Sequence, residues 1–140
     1  MIFSQELILS DRQAITGDTV STNILDFGVN GTPVGGVQIP QDVGNGTPMG
    51  LLIQVTETFN GLTSLNITLE TDSASGFGSA KDVVLMNVTL SELVAGYRTP
   101  IIMLPRGISE RFFRLGYDVQ GTNPTQGRIT AGLVCAVQTA

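Results

Sequence analysis

The side chains that could do chemistry are few: twelve Asp and Glu, seven Lys and Arg, one Cys and no His. Without histidine the commonest general base and metal ligand is missing, and so are the Ser-His and Cys-His nucleophile pairs of hydrolases. Cys135 has no internal disulfide partner, and one thiol falls short of the several Cys or His ligands of a structural zinc site. It sits inside an apolar alternating run and reads as a small buried hydrophobe. Paired carboxylates at about 5 to 9.5 Å could hydrolyse a glycosidic bond. Asp18, Asp72, Asp82 and Glu70, however, fall in turns or on the polar faces of strands, where solvated surface is the simpler reading. For calcium, TDSASG (71–76) offers one carboxylate where a D-x-[DN]-x-[DN]-G loop offers several. GNGTPMG (44–50) lacks the G-x-G-x-x-G spacing and carries Pro48 where a phosphate-binding helix would start. No cofactor and no enzymatic activity is expected.

Charge and composition narrow the partners. Residues 1–91 hold two bases, Arg12 and Lys81, against nine acids, whereas residues 92–140 hold five arginines against three acids. A net charge of -5 argues against nucleic acid, whose affinity comes largely from neutralised phosphates. No run of about 18 apolar residues could span a bilayer, and MIFSQELILSDRQ has neither the basic start nor the apolar length of a signal peptide. Without a secretory route, Asn66-Ile67-Thr68 and Asn87-Val88-Thr89 read as Asn and Thr in strands rather than glycosylation sites. At 140 residues, the chain is expected to form one domain over 1–140 with a core of its own.

The elements that must position these residues have strand periodicity throughout. In SLNITLET, Leu65, Ile67 and Leu69 alternate with Asn66, Thr68 and Glu70; in LLIQVTE, Leu51, Ile53 and Val55 alternate with Gln54 and Thr56. DVVLMNVTL is apolar on both faces, as for a strand covered on both sides by a neighbour, a loop or a partner subunit. Gly17-Asp18 suits a tight hairpin between QAIT and VSTNILDFG. Residues 28–50, with their glycines and prolines, read as a long loop, and Ser91 as the cap of one helical turn ended by Gly96. About eight short strands and almost no helix make an all-β sandwich, jelly roll or barrel.

The last hairpin, RFFRLGYDVQGTNPTQGRITAGLVCAVQ (111–138), carries the most informative side chains. Strand parity puts Phe113, Leu115, Tyr117 and Val119 inward, with Ile129, Ala131, Leu133, Cys135 and Val137 inward on the next strand. Phe112, Arg114, Gly116 and Asp118 then face outward, as do Arg128, Thr130, Gly132, Val134 and Gln138. Arginine and aromatic residues are enriched at protein interfaces. Arg111, Phe112 and Arg114, joined by Arg106 and Arg128, are the expected interface residues; the alternative is an ordinary solvated face.

These same segments carry a family resemblance. LILSDRQAITGDTVSTNILDFG and RGISERFFRLGYDVQGTNPTQGRITAGLVCAVQ, with LLIQVTETF and LTSLNITLETD between them, resemble the capsid cement (decoration) proteins of short-tailed bacteriophages. The positions that carry it are Asp11, Gln13, Ala14, Ser21, Thr22, Asn23 and Asp26, then Arg114, Leu115, Tyr117, Gly127, Thr130, Ala131, Gly132 and Gln138. The resemblance implies an antiparallel two-sheet jelly-roll sandwich with residues 1–10 as an arm onto a neighbouring subunit. It implies a homo-oligomer, dimer or trimer, made in the host cytoplasm. In the virion it sits on the outer surface of the mature capsid and bridges copies of the major capsid protein. The competing reading is a jelly-roll binding module, on the phage surface or tail, that recognises host glycans through the 28–50 loop. The absence of Trp and the 6% aromatic content supply few sugar-stacking platforms for it.

Overall fold

The structure is a computed structural model that describes residues 3–135, so the inward and outward assignments of Val137 and Gln138 lie outside the described residues. Nine strands are formed among them: β1 (Ile8–Ala14), β2 (Thr19–Val20), β3 (Leu25–Asp26), β4 (Gly50–Glu57), β5 (Leu62–Asp72), β6 (Lys81–Thr89), β7 (Ile102–Met103), β8 (Phe112–Gly121) and β9 (Arg128–Val134). One sheet runs β1-β9-β4-β7 and the other β2-β8-β5-β6, with β3 also on β8, and every pairing is antiparallel. Strands β2 and β3 follow the same edge of β8, Thr19 opposite Tyr117 and Leu25 opposite Phe113, with a slip in register between them. Counted as one interrupted strand they give eight, and the strand order is that of a jelly roll: two interlocked Greek keys closed into a sandwich.

Alternation builds the core as expected. Leu65, Ile67 and Leu69 of β5, Phe113, Leu115 and Tyr117 of β8, and Ile129, Ala131 and Leu133 of β9 meet Leu51, Ile53 and Val55 of β4 in one buried cluster. Leu52 is also buried, though it points the other way along β4, opposite Gly132 of β9. The chain around Phe3, Leu7 and Ile8 lies against Gly132, where a Cβ would crowd the Leu7 carbonyl. An N-terminal segment thus covers the outer face of this sheet.

Several local expectations are corrected. Residues 8–10 are not part of an arm onto a neighbouring subunit: Ile8–Ser10 belong to β1, paired with β9 of the same chain, and Leu9 is wholly buried. Gly17-Asp18 does not close a hairpin. It carries the chain from one sheet to the other, because β1 pairs with β9 and β2 with β8. Strand β6 is an edge strand, and within the chain no neighbour or loop covers both its faces: Leu85 is exposed, and Val83, Val84 and Met86 are half-buried. The turn after β6 is capped by Thr89 rather than Ser91: Glu92 reaches back to the Thr89 amide and hydroxyl, and Leu93 N bonds to Thr89 O before Gly96 ends the turn. Cys135 is exposed, because β9 stops at Val134.

A polar chain crosses this apolar interior. Ser10 Oγ donates to Gln13 Oε1 at 2.8 Å, which leaves Tyr117 Oη to donate to Ser10 Oγ at 2.7 Å. Gln13 continues the chain to the Val20 carbonyl and the Thr22 amide. Ser10 points inward because β1 is bulged between Ile8 and Gln13, where Arg12 takes a left-handed conformation at φ 46°. The Arg12 amide, lost to the ladder there, is recovered by Thr130 Oγ1 at 3.0 Å. Ser10→Ala strands the Tyr117 hydroxyl in the core and is expected to destabilise by about 1–3 kcal/mol in a denaturant titration. Adding Tyr117→Phe should restore part of that loss; a double variant no more stable than Ser10→Ala alone would show that the two hydroxyls are not coupled.

Candidate functional site

Jelly-roll winding decides which loops meet. The connections 27–49, 73–80 and 104–111 gather at one end of the sandwich, and their mutual contacts define it. Asp42 accepts the Gly107 amide at 2.9 Å and the Gly44 amide at 3.2 Å, and Val43 N bonds to the Ile108 carbonyl. Gly44 presses so closely on Pro105 and Arg106 that a Cβ would overlap the Pro105 carbonyl. Lys81 pairs with Glu110 across the same end.

Beside these loops, the outer face of the five-stranded sheet carries the arginines, each already partnered. Arg111 grips Asp26 in a two-pronged pair, Nε to Oδ1 at 2.6 Å and Nη2 to Oδ2 at 2.7 Å, while its guanidinium lies 4.8 Å from the centre of the Phe112 ring. The register explains the pairing, since Asp26 of β3 stands opposite Phe112 of β8. The Arg111 bond, reinforced by the Gly28 amide, pulls the Asp26 carboxyl down to about 2 from its ordinary 3.8. Arg114 stands opposite Glu70 of β5 and bonds it at 2.6 Å, with its guanidinium 4.2 Å over the ring of Phe77. Phe77 is buried despite a left-handed backbone at φ 50°, uncommon for an aromatic residue, so the stacked arginine serves as a lid on a constrained loop residue.

The Asp72 carboxylate is occupied structurally. Asp72 accepts the amides of Ala74 and Ser79, which lowers its pKa and folds the 73–80 loop around it. Among the described residues no group of three or more His, Cys, Asp or Glu could hold a metal ion.

Of the residues expected at an interface, Arg111, Phe112 and Arg114 share one face, and the backbone of Arg106 lies at the same end against Gly44. Arg128 does not join them. It sits at the opposite end, on the other sheet, bonded to Glu57 and to the Arg12 carbonyl. Sequence reasoning missed Asp26, Glu70 and Phe77 as partners, because cross-strand register cannot be read without the fold. Strand parity did flag the outward position of Arg114.

Most of the positions behind the family resemblance are joints of this scaffold. Gln13 ties β1 to the β2 edge, and Ser21 Oγ accepts the Leu115 amide. Asn23 reaches the Ile8 carbonyl, and Gly127 lies where a Cβ would overlap the Phe59 ring.

Together these features define a jelly-roll sandwich whose polar side chains brace its loops and one face. The chain belongs to the Bbp16 family, a phage-related family, whose family model matches residues 9–136. A search of curated proteins finds no match to the chain.

Two expectations test the bracing. In a carboxyl-detected NMR titration Asp26 should titrate near 2, and Arg111→Ala should return it only part of the way to 3.8, because the Gly28 amide remains. The sign follows: the pair contributes above the ordinary carboxyl range and its contribution fades as pH falls through about 2. The Arg111–Asp26 pair is about 40% exposed on each side and the Arg114–Glu70 pair about 20%. Arg114→Ala, which uncovers Phe77, should therefore cost about 1–2 kcal/mol. Arg111→Ala should leave the unfolding midpoint nearly unchanged; equal losses would refute this division.

Proposed function

We propose that this protein is a capsid cement protein of a phage. It binds the outer surface of the mature head as a homo-oligomer, bridges neighbouring major capsid subunits and holds the shell in its expanded form. The observation that carries the reading is the Arg111–Phe112–Arg114 face of a phage-related jelly roll, held in place by Asp26, Glu70 and Phe77 before any partner arrives. A pre-set arginine–aromatic surface loses little side-chain entropy on docking and matches the composition of protein contacts.

The mechanism is linkage rather than catalysis. A site assembled only in the expanded lattice stabilises that lattice alone, by about 2.7 kcal/mol per site when free protein is at 100 times its dissociation constant. A symmetric oligomer makes each bridge multivalent, so one weak contact raises the effective concentration at the next. Modest individual contacts then suffice.

Purified protein should co-sediment saturably with expanded heads stripped of it and not with unexpanded procapsids. The double variant Arg111→Ser/Phe112→Ser is the chosen probe of the face, because Arg114 also covers Phe77. It should fold and yet bind expanded heads at least about tenfold more weakly. Absence of wild-type binding to either shell would sink the cement reading and leave the fold standing. Undiminished binding by the double variant would remove this face from the contact.

A further inference from the structure

The 27–49 connection is not uniformly anchored. Its base is held by the Asp26–Gly28 bond at 2.8 Å, by Gln41 Nε2 on the Phe27 carbonyl at 3.3 Å, and by the Asp42 bond to the Gly107 amide of the 104–111 loop. Between these fixed points the chain doubles back on itself. Ile39 N bonds to the Gly31 carbonyl at 2.9 Å, and Gly36 N to the Pro33 carbonyl at 3.0 Å, with Gly35 at φ 73° in the third position of the turn. That is a type II turn closing a finger of about ten residues.

The finger's composition runs against its position. Val34, Val37 and Ile39 of the finger are 107, 86 and 58% exposed and Val29 at its base is 77% exposed, the densest group of exposed large hydrophobics in the described chain. No charged residue lies between Phe27 and Gln41. A merely solvated turn has no use for these branched aliphatics, whereas a group of exposed apolar side chains marks a binding element. Residues 28–41 also lack any aromatic ring to stack on a sugar, and any Trp, Tyr, Lys or Arg to anchor at a lipid surface. β-Branched side chains are stiff and lose little freedom when buried. These are properties of an anchor for an apolar protein cleft.

We infer that this finger, Asn30–Ile39, is a hydrophobic anchor that inserts into an uncharged apolar cleft of the major capsid subunit in the expanded shell. The inference rests on the cement reading and adds a second contact to it. The finger adjoins the arginine face, since Asp26 binds both the Gly28 amide at the finger's base and Arg111. The root of the finger therefore lies beside that face. The groove of about 330 Å³ beside β6 on a second copy is a poorer fit, being lined by Glu92, Asn87 and Thr99 as well as Met86, Tyr97 and Ile102.

The triple variant Val34→Ser/Val37→Ser/Ile39→Ser tests it, with Val94→Ser at the far end of the molecule as control. Thermal melting and sedimentation velocity should match wild type, because the altered side chains touch solvent. Affinity for expanded heads should fall on the order of a hundredfold for the triple variant and stay unchanged for the control. If wild type and triple variant bind expanded heads equally, the anchor is overturned while the cement reading stands. If wild type binds no heads, both fall together. Loss of self-association in the triple variant would place the finger in a second copy and overturn its assignment to the capsid subunit.

Discussion

The hydroxyl of Tyr117, pointing from one sheet onto Ser10 of the other, is the contact on which the remaining geometry depends. Apolar packing between two sheets is indifferent to small slides, because a leucine met by a valine is satisfied over a range of offsets. A buried hydrogen bond is not: its partners must come within about 3 Å or two polar groups are stranded in the core. Burial also pushes the Tyr117 pKa up, which keeps the phenol a donor across the ordinary pH range. Since Ser10 passes the bond to Gln13, and Gln13 passes it to the β2 edge, one polar chain fixes β8 against β1 and β1 against β2. The left-handed Arg12 and the bulge around it are the backbone distortion that lets Ser10 turn inward.

With the sheets in register, the jelly-roll winding brings three connections together at one end without any further design. The 104–111 loop enters β8, so its position is inherited from the same strand that carries Tyr117. Asp42 on the Gly107 amide and the Val43 amide on the Ile108 carbonyl then tie the long loop to it, and the absence of a side chain at Gly44 provides the clearance. The long loop is in this way divided into a clamped root and a free finger. A rigid root matters for an apolar anchor, because an anchor on a floppy tether would lose in ordering what it gained by burial.

The parts of this architecture that depend on alternation were legible in the chain itself: Leu65, Ile67 and Leu69 inward, Phe113, Leu115 and Tyr117 inward, Arg114 outward. What escaped were features fixed by contacts distant in sequence. Leu52 breaks the alternation of β4 because an N-terminal segment covers the outer face of the sheet. Ser10 and Asp72 are polar and buried because a hydroxyl across the core and a loop's own amides satisfy them. Gly17-Asp18 looks like a hairpin turn, since local sequence specifies a reversal but not the strand that receives it. In the finger, the glycines and prolines that identify a loop draw attention away from the valines between them.

The electrostatics of the site bear on how its two parts divide the work. Arg111, Arg114 and Lys81 each have an acid within bonding distance, so the end of the molecule presents local ion pairs rather than a cationic field. Such pairs contribute little to long-range steering, and their stabilisation is screened by salt where they are exposed. An uncharged finger adds nothing to steering either. A chain of net charge -5 therefore approaches a partner without a strong attractive field of its own at this end. Its affinity has to come after encounter, from shape, apolar burial and the fixed guanidinium planes, which places most of the binding energy in the dissociation rate. On the cement reading proposed above, with many equivalent positions on a shell, that division suits slow release more than fast capture.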